Sequence, residues 1–131
     1  MGNYFQKEIE CASADQIRAW QSERLVKQVK NIYDNVPYYR TRMQNKGLEP
    51  GDIKSIDDLH KLPFITKDDL RDAYPYGLLA RPLKDCVRMQ STSGTTGRRV
   101  VAFYTQHDLD LWEDCCARAI VAAGGTKEDV V

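Results

Sequence analysis

The sequence predicts an α/β fold: a helix-rich N-terminal part, then strand, polar loop, strand and helix, the whole forming a fragment of a larger layered α/β domain. Three observations predict it. Leu25, Val26, Val29, Ile32, Tyr33 and Val36 recur at helical spacing until Pro37, which marks an amphipathic helix and its stop. Val100–Tyr104 is β-branched and aromatic, and with Cys86–Gln90 it flanks a Ser/Thr/Gly run, the pattern of a hairpin with an oversized tip. Val130 and Val131, at the end of KEDVV, start what reads as a further strand with no turn after it.

Each element has a local signal. Ser13 with Gln16 reads as a capping box opening the long helix, because a hydroxyl there accepts one of the unpaired first-turn N–H groups. A shorter helix over roughly Tyr38–Lys46 pairs Tyr39 with Met43 and ends at Gly47, a residue free to turn left-handed. Two short helical turns follow GLEPGD, capped by Ser55 and by Thr66 and delimited by Pro63 and Pro75. Their acidic pairs, Asp57 with Asp58 and Asp68 with Asp69, sit in first turns, where carboxylates complement the helix dipole. Thr105 and Asp108 form another box. The helix after it has Leu109, Trp112, Cys116, Ala119, Ile120 and Ala123 as its expected buried face, closed by Gly124 and Gly125.

The totals fit one soluble globular domain: 131 residues, 42% hydrophobic and 29% charged. There is no linker and no second complete domain. Nineteen basic side chains balance nineteen acidic ones, so no global charge draws nucleic acid or an anionic membrane, and any anion is met locally. No apolar run approaches the roughly 18 residues of a membrane helix, and MGNYFQKEIE lacks a signal-peptide core, which makes the expected location cytoplasmic. Cys11, Cys86, Cys115 and Cys116 lack paired metal-ligand spacing, so no metal role and no disulfide is assigned. Adjacent Cys115 and Cys116 point about 100° apart on a helix, one of them toward the core. His107 is read as a solvent-exposed first-turn residue and His60 as part of a short polar helix where nothing converges on it; neither enters a site.

QSTSGTTGRRVVAFYT, residues 90–105, carries the chemistry. Glycine lets successive N–H groups converge on an anion, and hydroxyls add donors that rotate to suit. Phosphate oxygens are the matching acceptors, with Arg98 and Arg99 supplying charge. The alternative is a structural Ser/Thr/Gly turn. The run is not a P-loop of the G-x-x-x-x-G-K-[ST] kind, since GTTGRRV leads into a strand.

The stretch TSGTTG, Thr92–Gly97, resembles the phosphate loop of the AMP-forming adenylating enzymes. Its flanks, NVPYYR at 35–40, DIKSIDDLHKLPFITKDDLRDAYPYGL at 52–78 and VVAFYTQHDLDLW, resemble the phenylacetate-CoA ligase family. That resemblance implies that residues 1–131 are the N-terminal segment of the large domain of such a ligase. The family activates an arylacetic acid with ATP and Mg²⁺ to an acyl-adenylate, then transfers the acyl group to coenzyme A. By match to the motif, Thr92, Ser93, Gly94, Thr95, Thr96, Gly97 and Arg98 hold the β- and γ-phosphates.

Arg98 keeps the cation that the ligases carry as Lys, whereas Arg99 stands where the wider superfamily has Pro and leaves the loop's exit less rigid. The adenine, acyl and coenzyme A pockets, an acidic metal ligand and a C-terminal catalytic lysine are implied in the missing remainder of the parent chain. No catalytic or metal residue is assigned here, and the isolated fragment is expected to be inactive. Two alternatives stand: a ligase for another aryl or acyl acid, and a helical interaction module. Self-association is expected in either case, because an unpaired strand edge and uncovered helix faces invite it.

Overall fold

A computed structural model describes residues 3–94, 97 and 99–130. The first helix, α1 (Lys7–Glu10), is one that periodicity does not predict. The Glu10 carboxylate closes it locally, accepting the backbone N–H of Phe5 at 2.9 Å and of Gln6 at 2.7 Å.

The long helix α2 runs over Ala14–Asn35, with Ser13 Oγ accepting the Gln16 N–H at 3.2 Å. It stops where the sequence says. The residue before a proline is disfavoured in helical conformation, and Val36 is extended, with φ −120° and ψ 97°. Pro37 then opens α3 (Pro37–Asn45), at a position where its missing N–H is not needed. Arg40 braces the corner, donating to the Tyr33 and Asp34 carbonyls at 2.8 and 2.5 Å; a cation there also complements the negative end of α2.

The end of α3 is a Schellman closure. Gly47 has φ +67°, its N–H reaches the Gln44 carbonyl at 2.9 Å, and the Leu48 N–H reaches the Met43 carbonyl at 3.0 Å. This reversal returns Leu48 to the core, formed by Val29, Met43 and Ile53 with Leu25, Tyr33, Leu48 and Leu62 packed around them. The periodic residues of α2 thus find their partners on α3 and on the chain that follows.

Two 3₁₀ segments, Pro50–Asp52 and Ile56–Lys61, pack against α2. The second is fastened by the Ile56 N–H donating to Ser22 Oγ at 3.1 Å. It is capped reciprocally by Ser55 and Asp58, and α4 (Lys67–Asp72) is capped the same way by Thr66 and Asp69. The acidic pairs therefore divide their work. Asp58 and Asp69 are caps that also pair with Lys61 and Arg42, while Asp57 and Asp68 only pair, with Arg18 and Arg71.

Strands β1 (Cys86–Ser91) and β2 (Val101–Thr105) form an antiparallel hairpin. Its register matches Ser91 with Val101 and Met89 with Phe103, and it shifts between Cys86 and Arg88. Helix α5 (Gln106–Ala122) follows directly, opened by the Thr105–Asp108 box. Gly124, at φ +97°, closes α5 with a second Schellman pair: its N–H to Val121 and that of Gly125 to Ile120, at 3.0 and 2.9 Å.

Three expectations are corrected. The apolar stripe of α5 is not buried: Leu109 is half-buried, but Trp112, Cys116, Ala119, Ile120 and Ala123 are exposed. The half-buried positions are Leu109, Asp114, Ala117, Arg118 and Val121, because α5 packs on β2, and Arg118 reaches Gln6 beside α1. Cys115 and Cys116 are both exposed thiols for the same reason. Val130 is 99% exposed and lies in no strand, with no strand among the described residues beside it; Val131 lies outside the described residues.

Candidate functional site

The loop after β1 is anchored by the hairpin ladder. The Thr92 N–H donates to the Val100 carbonyl at 3.0 Å, and the Val100 N–H donates to Thr92 Oγ1 at 3.2 Å. Thr92 therefore clasps the loop's base through both backbone and hydroxyl. Among the described residues nothing accepts its O–H proton, which a hydroxyl can donate while its oxygen accepts.

Ser93 is exposed and Gly94 half-buried. Gly94 and Gly97 take φ +73° and +130°, values that a side chain disfavours, and the Gly97 N–H donates to the Gly94 carbonyl at 3.2 Å. A Cβ on Gly94 would stand 2.7 Å from Arg99 Cγ. The expected residues Thr95, Thr96 and Arg98 lie outside the described residues. The structure thus brings together Thr92, Ser93, Gly94 and Gly97, with Arg99 at the exit. A backbone turned left-handed twice within four residues is how a loop aims its amides at an anion rather than along a strand.

Charge near the hairpin is already committed at the start of α5. The Thr105 backbone N–H, at 2.8 Å, and hydroxyl, at 2.7 Å, hold the Asp108 carboxyl below its usual range, with His107 and Arg81 adding to the shift. His107 is exposed, as is His60, whose Nδ1 lies 2.7 Å from the Asp57 carbonyl. His107 fits the expectation of a solvated first-turn residue, whereas His60 lies in the last turn of its 3₁₀ segment.

Two shallow recesses lie elsewhere. One is lined by Tyr76, Leu83, Val87, Met89 and Phe103 on a face of the hairpin, the other by Leu59, His60, Leu62, Pro63 and Phe64. Among the described residues, no group of three or more His, Cys, Asp or Glu converges as a metal site. No helix among them is long and apolar enough to cross a membrane.

Comparison with known proteins gives this geometry its context. Over 123 residues the chain is 49% identical to the phenylacetate-coenzyme A ligase of Pseudomonas putida, 48% to that of Aromatoleum evansii and 44% to that of Escherichia coli (strain K12). The resemblance is to phenylacetate-coenzyme A ligases. Each match takes in 94% of this chain and 28% of the ligase, so the chain spans little more than a quarter of the relatives' length. No protein-family model matches the sequence.

The fold agrees. A 2-hydroxyisobutyryl-CoA ligase in complex with 2-HIB-AMP and CoA superposes with a TM-score of 0.74 at 25% identity, over 83% of this chain and 24% of the ligase. The same ligase in its postadenylation state gives 0.75 at 20% identity, over 93% and 25%. The ligase resemblance expected from TSGTTG and its flanks is borne out, and the helices, hairpin and α5 have the arrangement found in part of an adenylate-forming ligase.

Proposed function

We propose that residues 1–131 are the N-terminal segment of the large domain of an AMP-forming ligase of the phenylacetate-CoA type. In this reading Thr92, Ser93, Gly94, Thr95, Thr96, Gly97 and Arg98 hold the β- and γ-phosphates of ATP. The observation that carries it is the pair of left-handed glycines in a hydroxyl-rich loop clasped by Thr92 and Val100. In the whole enzyme an arylacetate oxygen attacks the α-phosphorus and releases pyrophosphate. The coenzyme A thiolate then attacks the acyl carbon and releases AMP.

The loop's part is confined to the leaving group. Donors fixed before reaction stabilise charge as it gathers on the departing pyrophosphate without reorganising during the step. Mg²⁺ in such a reaction screens the phosphates; the described residues hold no ligand cluster for it, and their role is limited to hydroxyl, amide and guanidinium donation. A cytoplasmic setting belongs to the same reading.

Titration with millimolar ATP, followed by amide chemical shifts, tests the loop: shifts centred on 92–98 are expected, and a flat response across them overturns the assignment. The 131 residues alone are expected to release no pyrophosphate from ATP and phenylacetate. Steady release would place the chemistry within this segment.

A second reading is favoured by the exposed apolar surface at Val87, Met89, Leu111, Trp112 and Ile120: the chain associates with itself or with another chain through these faces. Sedimentation across a concentration series distinguishes it, with a monomer at every concentration counting against association.

A further inference from the structure

The side chain of Arg99 does not follow the strand that it precedes. It turns back across the loop, where Cγ lies 2.7 Å and Nε 3.4 Å from the point a Gly94 Cβ would occupy. Only the missing side chain of Gly94 leaves it that path. Among the described residues no carboxylate or carbonyl receives its guanidinium, and the residue is exposed. A cationic side chain is thus laid across Gly94, with no counterion there among the described residues.

We propose that Arg99 is a phosphate-binding residue, its guanidinium closing over Gly94 onto a terminal phosphate of ATP. This rests on the reading of the loop given above and extends it to a position where the adenylating enzymes commonly have proline. A planar fork of N–H donors suits two phosphate oxygens at once. The place it takes across Gly94 gives that glycine a second reason to lack a side chain, beyond its positive φ. It also supplies a local charge to a chain with a formal net charge of zero.

The test uses the 131-residue chain with inorganic tripolyphosphate and ATP as probes. The Arg99 side-chain Nε–H resonance is expected to shift along with the loop amides. Arg99→Ala should weaken tripolyphosphate binding about tenfold, the scale of one charge-assisted pair, with Arg99→Lys in between. The Thr92 and Val100 amide positions report whether the hairpin of each variant is intact.

If the loop amides respond but the Nε–H resonance stays fixed to saturation, or Arg99→Ala binds as tightly as the unaltered chain, Arg99 is not a phosphate ligand and the loop assignment stands without it. If the unaltered chain gives no loop response to either probe, the loop assignment falls and Arg99 falls with it.

Discussion

Val29, Val36, Met43 and Ile53, in the helical part, are each no more than 1% exposed, whereas Val87, Met89, Trp112 and Ile120, in the hairpin and α5, are between 43% and 65% exposed. Both parts carry apolar stripes of similar length. The difference lies in what faces them: α2 meets α3 and two 3₁₀ segments, while α5 meets chiefly β2. An amphipathic pattern specifies which side seeks cover, and only a neighbouring element decides whether cover is present. The chain therefore joins a part with its own core to a part whose apolar faces remain open.

The largest test of that contrast is Met43→Ala, which should lower stability by about 2–5 kcal/mol, the usual range for emptying a buried methionine site. Denaturant melts followed by far-ultraviolet dichroism would read it. Met89→Ala in the hairpin should change the midpoint by no more than about 0.5 kcal/mol. Equal losses at the two sites would show that the hairpin face is covered in solution.

Acid should act next, and chiefly on the helical part. Asp58 is held at about 2 by Lys61 and the Lys54 and Ser55 N–H groups, and Asp69 at about 2 by Tyr38, Thr66 and Arg42. Unfolded aspartates titrate near about 3.9. Because the folded values are lower, this stabilisation is complete above that pH and is lost as pH falls toward 2. Melting temperatures measured from pH 5 to pH 2 should drop, with Asp69→Asn flattening the slope; an unchanged slope would remove Asp69 from the account.

Smaller again are the helix ends. Gly47→Ala places a side chain at φ +67° and should lose about 1–2 kcal/mol. Gly124→Ala alters the same closure on α5, where the expected effect is faster amide exchange confined to the end of that helix. If it lowers the main melt as far as Gly47→Ala does, α5 is part of the same cooperative unit as the core.

What was legible in the sequence divides along the same line. Pro37, Gly47 and Gly124 end helices by rules internal to a few residues, and Thr66–Asp69 and Thr105–Asp108 start them likewise, so local chemistry sufficed. The hairpin flanking the Ser/Thr/Gly run was legible for the same reason. The covered side of α5 was not, since Arg118 becomes half-buried beside Gln6, a residue distant in sequence. Nor was α1, held by one glutamate rather than by a repeating pattern. Thr92, Ser93, Gly94 and Gly97 were identified as loop residues from their types. The backward path of Arg99 over Gly94 is a matter of rotamer and space that composition does not carry.

Among the described residues, four turns are fastened by one hydroxyl–aspartate device: Ser55 with Asp58, Thr66 with Asp69, Thr105 with Asp108, and Thr126 with Asp129, which accepts the Thr126 N–H at 2.7 Å. Each spans four residues, so each clasp can close on the timescale of a single turn, without waiting for distant chain. During synthesis the punctuation of this segment can be in place as soon as it leaves the ribosome. The open faces of the hairpin and α5 are then presented in ordered form to whatever later covers them.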